Sequence, residues 1–145
     1  MEKLNEIIFY TMDKSIRSYR IYAQKQLRLK GYKITIDQWL IIKCILENPD
    51  ITQQEMGEIV FKDNASVTRM IELLVKSGYI VRKPNAKDRR RVVLTVTALG
   101  KKIIEDIHDV VIQNRRVALK DISPEDIQMV NRILNRMIDN CNQAP

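Results

Sequence analysis

The sequence has few of the residues from which metal sites and disulfide frameworks are built. Its 145 residues include two cysteines, Cys44 and Cys141, and a single histidine. Two thiols do not make a disulfide framework, and one histidine is too few for most zinc sites. We therefore expect no metal, no cofactor and a reducing, cytoplasmic compartment.

Long apolar runs and low-complexity segments are missing as well. Glycine and proline number four each and aromatic residues make up 6% of the chain, which argues against collagen-like and disordered proteins. No apolar run approaches the roughly 18–20 residues of a membrane-spanning helix. The opening residues 1–6 lack the apolar stretch of a secretory signal. There is no glycine-rich phosphate loop, no metal-binding His-Glu motif and no Ser/His/Asp set, so we expect no enzyme.

Positive charge is what the sequence has in excess. Lysine and arginine number 25 against 18 acidic residues, which gives a formal charge of +7 and a pI near 9.5. This balance favours a polyanionic partner, with nucleic acid first and an anionic membrane surface second. A membrane partner would call for a basic amphipathic helix with Trp or Phe on its apolar face, which the charge distribution does not provide.

Helix start and stop signals divide the first half of the chain. A run without Gly or Pro ends at Gly31, a plausible residue to follow a helix. Capping boxes begin at Thr35 and Thr52, and Asp63 is a third N-cap candidate. Three short helices with separate start signals predict a compact trihelical unit. The predicted helices cover about 4–30, 39–47, 53–60 and 63–76.

The second half begins with two β-branched runs and ends with two helices. Tyr79–Arg82 and Val92–Val96 predict strands, and the polar segment 83–91 between them predicts a hairpin with a charged tip. Thr97 caps a helix that continues to about Leu119, and Ser123 with Pro124 begins the last helix. That last helix repeats apolar residues at steps of three and four, a seam suited to packing against another helix.

These elements together predict a mainly α-helical fold with a small β-hairpin wing. The arrangement is a winged helix-turn-helix with flanking N- and C-terminal dimerisation helices. We expect one domain over 1–145, with the DNA-binding unit at 35–100 and dimerisation helices in 1–34 and 101–145. The residues expected at the dimer interface are Leu4, Ile8, Ile127, Val130, Leu134, Met137 and Cys141.

The positive charge is concentrated in the predicted wing, residues 82–91. Six cations and one anion give these ten residues a net charge of +5. A solvated loop of this density suits phosphate, because arginine presents a planar fork of donors to pairs of oxygens. The alternative interpretation is a hairpin tip that is merely soluble. The charged residues are Arg82, Lys83, Lys87, Asp88, Arg89, Arg90 and Arg91.

The helix 63–76 divides into two faces. Val67, Ile71, Leu74 and Val75 lie together at 100° per residue and are expected in the core. The opposite face has small residues near its start, which allow a helix to sit deep in the major groove. The alternative is a solvated face with a Glu72–Lys76 ion pair. The expected DNA contacts on this helix are Asn64, Ala65, Ser66, Thr68, Arg69 and Lys76.

Three segments resemble the signature of the MarR (multiple antibiotic resistance regulator) family. They are Gly78-Tyr79-Ile80-Val81-Arg82, Asp88-Arg89-Arg90 and Thr97-Ala98-Leu99-Gly100. The first segment departs from the tightest match by one residue, with Tyr79 inserted. The resemblance implies a homodimeric repressor on a pseudo-palindromic operator, with 63–76 in the major groove and the wing at the minor groove. It also implies that Arg90 enters that groove and that Asp88 braces it.

The resemblance further implies a pocket for small aromatic or lipophilic effectors. Tyr10, Tyr19, Tyr22 and Trp39 are the candidates to line it, and ordinary packing is the alternative for each. Relatives that sense peroxide need a reactive cysteine near the start of the chain, and this sequence has none there. Zinc sensing would need more histidines. The alternative function is a winged-helix module whose basic wing binds an acidic protein partner.

Overall fold

The computed structural model describes all residues, Met1–Pro145, as six helices and one two-stranded hairpin. The chain forms two compact units, Met1–Asn114 and Arg115–Pro145. A 3₁₀ turn, Leu4–Glu6, precedes the first helix. In chain order the elements are α1 (Ile8–Leu29), α2 (Ile36–Glu47), α3 (Gln53–Val60), α4 (Asn64–Lys76), β1 (Ile80–Pro84), β2 (Val92–Val96), α5 (Ala98–Ala118) and α6 (Pro124–Gln143).

The first helix is shorter at its start than the sequence predicted. The expected run from residue 4 is broken at Ile7, whose backbone is extended (φ −86°, ψ 113°). The Glu6 carboxylate accepts the backbone N–H of Lys3 (2.9 Å) and closes the 3₁₀ turn as a separate element. At the other end Gly31 takes a φ of +85°, which confirms its predicted place after the helix.

The starts of α2, α3 and α4 follow the capping signals, with one correction. The Thr35 hydroxyl accepts the Gln38 N–H and the Gln38 side chain accepts the Thr35 N–H, a complete capping box. At Thr52 only half of the predicted box forms. The Thr52 hydroxyl accepts the Glu55 N–H (3.1 Å), but the Glu55 carboxylate does not return to the Thr52 backbone.

The turn between α3 and α4 is tight and is tied to α1 and α2. Phe61 takes a left-handed φ of 59°, which lets the chain turn directly from α3 into α4. Asp37 at the start of α2 accepts Arg20 of α1 (3.0 Å) and pairs with Lys62 of the turn (3.8 Å). One carboxylate therefore links the first helix to the helix-turn-helix.

The wing is an antiparallel hairpin whose first strand extends further than predicted. β1 pairs with β2 from Ile80 opposite Val96 to Pro84 opposite Val92. Lys83 and Pro84, expected in the tip, therefore lie in the strand. Proline is tolerated there because β1 is an edge strand and needs no partner for the missing N–H.

The base of the wing is fastened to the start of α5. The Thr97 hydroxyl donates to the carbonyl oxygen of Gly78 (2.6 Å) and accepts the N–H of Gly100 (3.0 Å). The Thr97 N–H bonds the carbonyl of Tyr79 (2.9 Å). A Cβ at Gly100 would overlap the Tyr79 carbonyl oxygen and lie 2.7 Å from Val96 Cγ1. Only glycine allows this close approach of helix and hairpin.

The core of the first unit lies between α2, α3, α4 and the base of the wing, with Leu27 from α1 and Ile107 and Val110 from α5. Its fully buried members are mostly isoleucine, valine and leucine, and the predicted core face of α4 supplies Val67, Ile71 and Leu74, with Val75 half-buried. The largest fully buried side chains are Ile34, Ile41, Ile42, Met56, Ile71, Leu74, Ile80 and Ile107.

The second unit holds the end of α5 and all of α6. The Ser123 hydroxyl accepts the Asp126 N–H (3.1 Å) and Pro124 opens α6, as the sequence predicted. No residue of α6 is buried. In both units, no helix combines the length and the apolar character that crossing a membrane requires.

Candidate nucleic-acid interface

The outer face of α4 is polar and open to solvent. Asn64, Ala65, Arg69 and Lys76 are exposed, opposite the buried Val67 and its neighbours. The other two predicted contact residues are Ser66 and Thr68, which flank this face and are half-buried. The six predicted contact residues of α4 therefore share one accessible strip along the helix.

Asp63 fixes the first turn of this helix. Its carboxylate accepts the backbone N–H of Ser66 at 2.7 Å. Hydrogen bonds from Ser66, first from the backbone and then from the side chain, lower the pKa of Asp63 below its ordinary value. A charged carboxylate here satisfies a free amide and complements the positive end of the helix.

Two internal contacts order the side chains of the exposed strip. The Arg69 guanidinium donates to the Ser66 hydroxyl (3.3 Å), and the Thr68 hydroxyl donates to the carbonyl oxygen of Asn64 (2.9 Å). A third residue, Gln53 of α3, donates from its side-chain amide to Asn64 Oδ1 (2.9 Å) and to the Thr68 hydroxyl. Gln53 escaped the sequence analysis because a contact between helices leaves no mark in local spacing.

Turns within the wing tip present its cations outward. The Asn85 side-chain oxygen accepts the N–H of Lys87 (2.8 Å), and Asp88 accepts the backbone N–H of Arg90 (3.0 Å). The Asp88 carboxylate also lies 3.8 Å from the Arg91 guanidinium. Asp88 thus supports Arg90 through its backbone and pairs with the side chain of Arg91.

The predicted cations of the wing are all accessible. Arg82, Lys83, Lys87, Arg89, Arg90 and Arg91 are exposed, as is Asp88. The guanidinium groups of Arg89 and Arg90 form no hydrogen bond or ion pair within the chain, so they are free to bind an external anion. The repulsion among the cations of such a cluster is relieved most when phosphate oxygens neutralise their charge.

The four aromatic candidates for an effector site lie outside three surface clefts of the molecule. Tyr10 is exposed, and Tyr19, Tyr22 and Trp39 are half-buried. Three surface clefts have volumes of about 770, 630 and 410 Å³, and none of the four aromatic residues lines them.

The two thiols have different surroundings. Cys44 is buried in α2, and burial, followed by the nearby charge of Glu47, raises the pKa of its thiol. Cys141 is exposed on α6. A buried thiol with a raised pKa is a poor nucleophile because little thiolate forms.

The expected interface residues are accessible in the single chain. Leu4 is 63% exposed, and Ile8 and Val130 are each 53% exposed. The remaining candidates are Ile127, Leu134 and Met137, which are half-buried, and Cys141, which is exposed.

Comparisons with known proteins find the MarR family model, curated transcriptional regulators and solved structures with the same fold. The model of the MarR family matches residues 34–92. The chain is 26% identical over 132 residues to the organic hydroperoxide resistance transcriptional regulator of Bacillus subtilis, covering 86% of this chain and 88% of that protein. It is 30% identical over 97 residues to the regulator SarZ of Staphylococcus aureus, covering 66% of this chain and 62% of SarZ.

Solved structures share the fold across nearly the whole chain. A MarR/EmrR family transcriptional regulator from Acinetobacter sp. ADP1 superposes with a TM-score of 0.86 at 17% identity, covering 99% of this chain and 100% of that one. BpsR of Bordetella bronchiseptica, whose DNA binding is regulated by 6-hydroxynicotinic acid, superposes with a TM-score of 0.84 at 17% identity, covering 96% and 98%.

Proposed function

This chain belongs to the MarR family of winged-helix, DNA-binding transcriptional regulators, and from that premise we propose how it engages its operator. The protein acts as a homodimeric repressor on a two-fold symmetric duplex site. The recognition helix, 63–76, lies in the major groove and the wing, 82–91, at the adjacent minor groove. We propose one functional domain, in which 35–100 binds DNA and the flanking helices form the dimer.

The observation that carries this proposal is the pairing of two chemically different surfaces on one unit. The outer strip of α4 has small and hydrogen-bonding side chains, which suit base edges. The wing carries a net charge of +5 in ten residues, which suits phosphates and the negative potential of a narrow minor groove. We therefore assign base recognition to α4, and the binding of phosphates and the minor groove to the wing.

The dimer is supported by apolar side chains that a lone chain leaves in water. The sequence places them on the N-terminal segment and on α6, and Leu4 and Val130 are more than half exposed. Apolar surfaces of this kind mark interaction sites in soluble proteins. A C2 dimer presents two recognition helices to successive major grooves about 34–36 Å apart.

Random-site selection on duplex DNA tests the symmetry. We expect two inverted half-sites with centres roughly 10 bp apart, bound by a dimer. Selection of a single asymmetric motif contradicts the proposal. Binding to an acidic protein without salt-dependent binding to duplex DNA would support the alternative, a protein-interaction module.

Variants of the wing separate minor-groove reading from general attraction. We expect Arg90→Ala to lose more affinity on the selected operator than on a version with G·C pairs under the wing. Asp88→Ala should partly reproduce this loss because the Arg90 backbone loses its acceptor. Lys87→Ala should weaken both duplexes equally and reduce the salt slope of log K by about 0.9.

Lys120→Ala is the matched control for these wing variants, because Lys120 is an exposed cation that lies outside the proposed DNA-binding surfaces of α4 and the wing. It should change neither affinity nor salt slope. If Arg90→Ala loses the same affinity on both duplexes, the wing attracts DNA electrostatically and does not distinguish sequences in the minor groove.

A small aromatic molecule is the effector that we propose. BpsR responds to 6-hydroxynicotinic acid, and Tyr10, Tyr19, Tyr22 and Trp39 are the candidate contacts here. Because none of these side chains lines the three clefts described above, we propose that the dimer or the ligand brings them together. Substituting Trp39 should weaken effector-induced release from the operator without weakening DNA binding.

A further inference from the structure

Gln53 joins the helix that precedes the recognition helix to two side chains of the recognition helix itself. It is half-buried in the first turn of α3. Its amide nitrogen lies 2.9 Å from Asn64 Oδ1 and 3.4 Å from the Asn64 carbonyl oxygen, and it is also bonded to the Thr68 hydroxyl. Three acceptors therefore surround one NH₂ group.

The hydrogen bonds in the structure fit together in one consistent orientation of these groups. A backbone carbonyl only accepts, so the NH₂ of Gln53, and not its oxygen, faces Asn64. Asn64 must then turn its own oxygen toward Gln53. The Thr68 hydroxyl gives its hydrogen to the Asn64 carbonyl (2.9 Å) and receives the other hydrogen of the Gln53 amide.

Two chemical groups remain available to a ligand after these bonds are made. Asn64, an exposed residue, has its Nδ2 hydrogens unused by the protein. Thr68 gives its only hydrogen to the Asn64 carbonyl, so it cannot donate to a base edge, and its methyl group is the apolar contact that it can offer. Asn64 therefore acts as a donor, and Thr68 acts as an apolar contact.

We propose that Gln53 is a positioning residue that sets the base preference of the recognition helix. It holds Asn64 as a donor toward guanine N7 and O6 or thymine O4, and it turns the Thr68 methyl toward a thymine methyl. The two-bond pairing of asparagine with adenine needs the Asn64 oxygen at the base, whereas the bond to Gln53 turns that oxygen toward α3. This inference rests on the proposed binding of α4 in the major groove.

Gln53→Glu tests the proposal by reversing the hydrogen bonds without changing the shape. A carboxylate accepts and does not donate, so Asn64 turns its NH₂ inward and its oxygen outward, which favours adenine. We expect random-site selection to return a different preferred base at one symmetric position in each half-site. The ratio of affinities for the two bases should change by about ten-fold, within the range of a bidentate base contact.

Gln54→Glu is the matched control. Gln54 is the next residue in the same helical turn, is exposed, and forms no hydrogen bond with Asn64 or Thr68. It adds the same negative charge, so it should weaken binding to all sequences and leave the selected motif unchanged. The same motif from wild type, Gln53→Glu and Gln54→Glu overturns the proposal.

A second pair of variants examines the methyl group of Thr68. Replacing thymine by uracil in the selected site should weaken the wild-type protein by about four-fold, the value of one buried methyl group. Thr68→Ser keeps the hydroxyl and lacks the methyl, so it should bind both duplexes equally. Thr68→Val keeps a methyl group and should still discriminate. Equal discrimination by the serine variant contradicts the assignment.

Selection with wild type and Gln53→Glu distinguishes failure of the proposed function from failure of the role assigned to Gln53. If wild-type protein selects no duplex sequence, the proposed function is wrong and the role of Gln53 falls with it. If wild type selects a symmetric site that Gln53→Glu leaves unaltered, the function stands and Gln53 only holds α3 against α4. Circular dichroism of each variant checks that the total helix content is unchanged.

Discussion

Gly100→Ala should destabilise the protein even though alanine is the better helix former. The new Cβ would lie 2.7 Å from Val96 Cγ1, where carbon atoms normally approach to about 3.5–4.0 Å. It would also overlap the Tyr79 carbonyl oxygen, which is held in place by the Thr97 N–H (2.9 Å). Helix α5 and the wing must therefore separate by about 1 Å.

Two opposing effects set the change in the free energy of unfolding. Overpacking of this kind costs about 1–3 kcal/mol and occasionally more, and a backbone partner places the cost at the upper end. The gain in helix propensity from glycine to alanine is about 1 kcal/mol at most. We expect a net loss of about 2 kcal/mol in the free energy of unfolding, which lowers the urea midpoint by about 1 M for a slope near 2 kcal/mol/M.

Urea unfolding followed by circular dichroism measures this loss, at one fixed protein concentration because the proposed dimer makes stability depend on concentration. Ala98→Gly is the matched control, since Ala98 is exposed in the same helical turn. It reports the propensity difference alone and should cost no more than about 1 kcal/mol. A Gly100→Ala protein as stable as wild type would refute the close approach between α5 and the wing.

Three further predictions concern the dimer, the thiols and the helix cap. Leu134→Asp should shift sedimentation toward the monomer, because it places a charge in the apolar seam of α6. Gln128→Glu adds the same charge outside the seam and should not. A wild-type protein that sediments as a monomer at tens of micromolar contradicts the proposed dimer. Replacing Cys44 and Cys141 together by serine should leave operator release unaltered, and release of wild type but not of this variant by peroxide would reveal a thiol sensor. Because the folded-state pKa of Asp63 is lowered, its stabilising effect is present above the unfolded value near 4 and is lost as pH falls through the folded value. Urea midpoints of wild type and Asp63→Asn should therefore converge on acidification from pH 6 to 3, and a constant difference argues against a charged cap.

Local signals in the sequence predicted most of the fold. A capping side chain, a glycine with positive φ and a β-branched run each act on their own neighbours, so the starts at Thr35 and Asp63 and the end at Gly31 were predictable. The break at Ile7 carried no such signal, because apolar spacing continues through it.

The contacts that the sequence did not predict join residues far apart in the chain. Asp37 binds cations from two other elements, and Gln53 reaches α4 from the start of α3. Within the wing, three arginines follow Asp88 directly, and the turn geometry makes Arg91 the one whose side chain pairs with its carboxylate. Spacing identifies the candidates in such cases, and three-dimensional packing selects among them.

The two faces of α4 also bear on how this protein can evolve. Val67, Ile71 and Leu74 hold the helix in the core, so exposed positions such as Ala65 can change after gene duplication without loss of the fold. With α4 in the major groove as proposed, a duplicate can acquire a new operator by substitutions on one face alone. Asn64 and Thr68 are the exception, because both are bonded to Gln53 on another helix. Descendants that alter either residue should alter Gln53 as well, so these three positions should covary among paralogues that bind different operators.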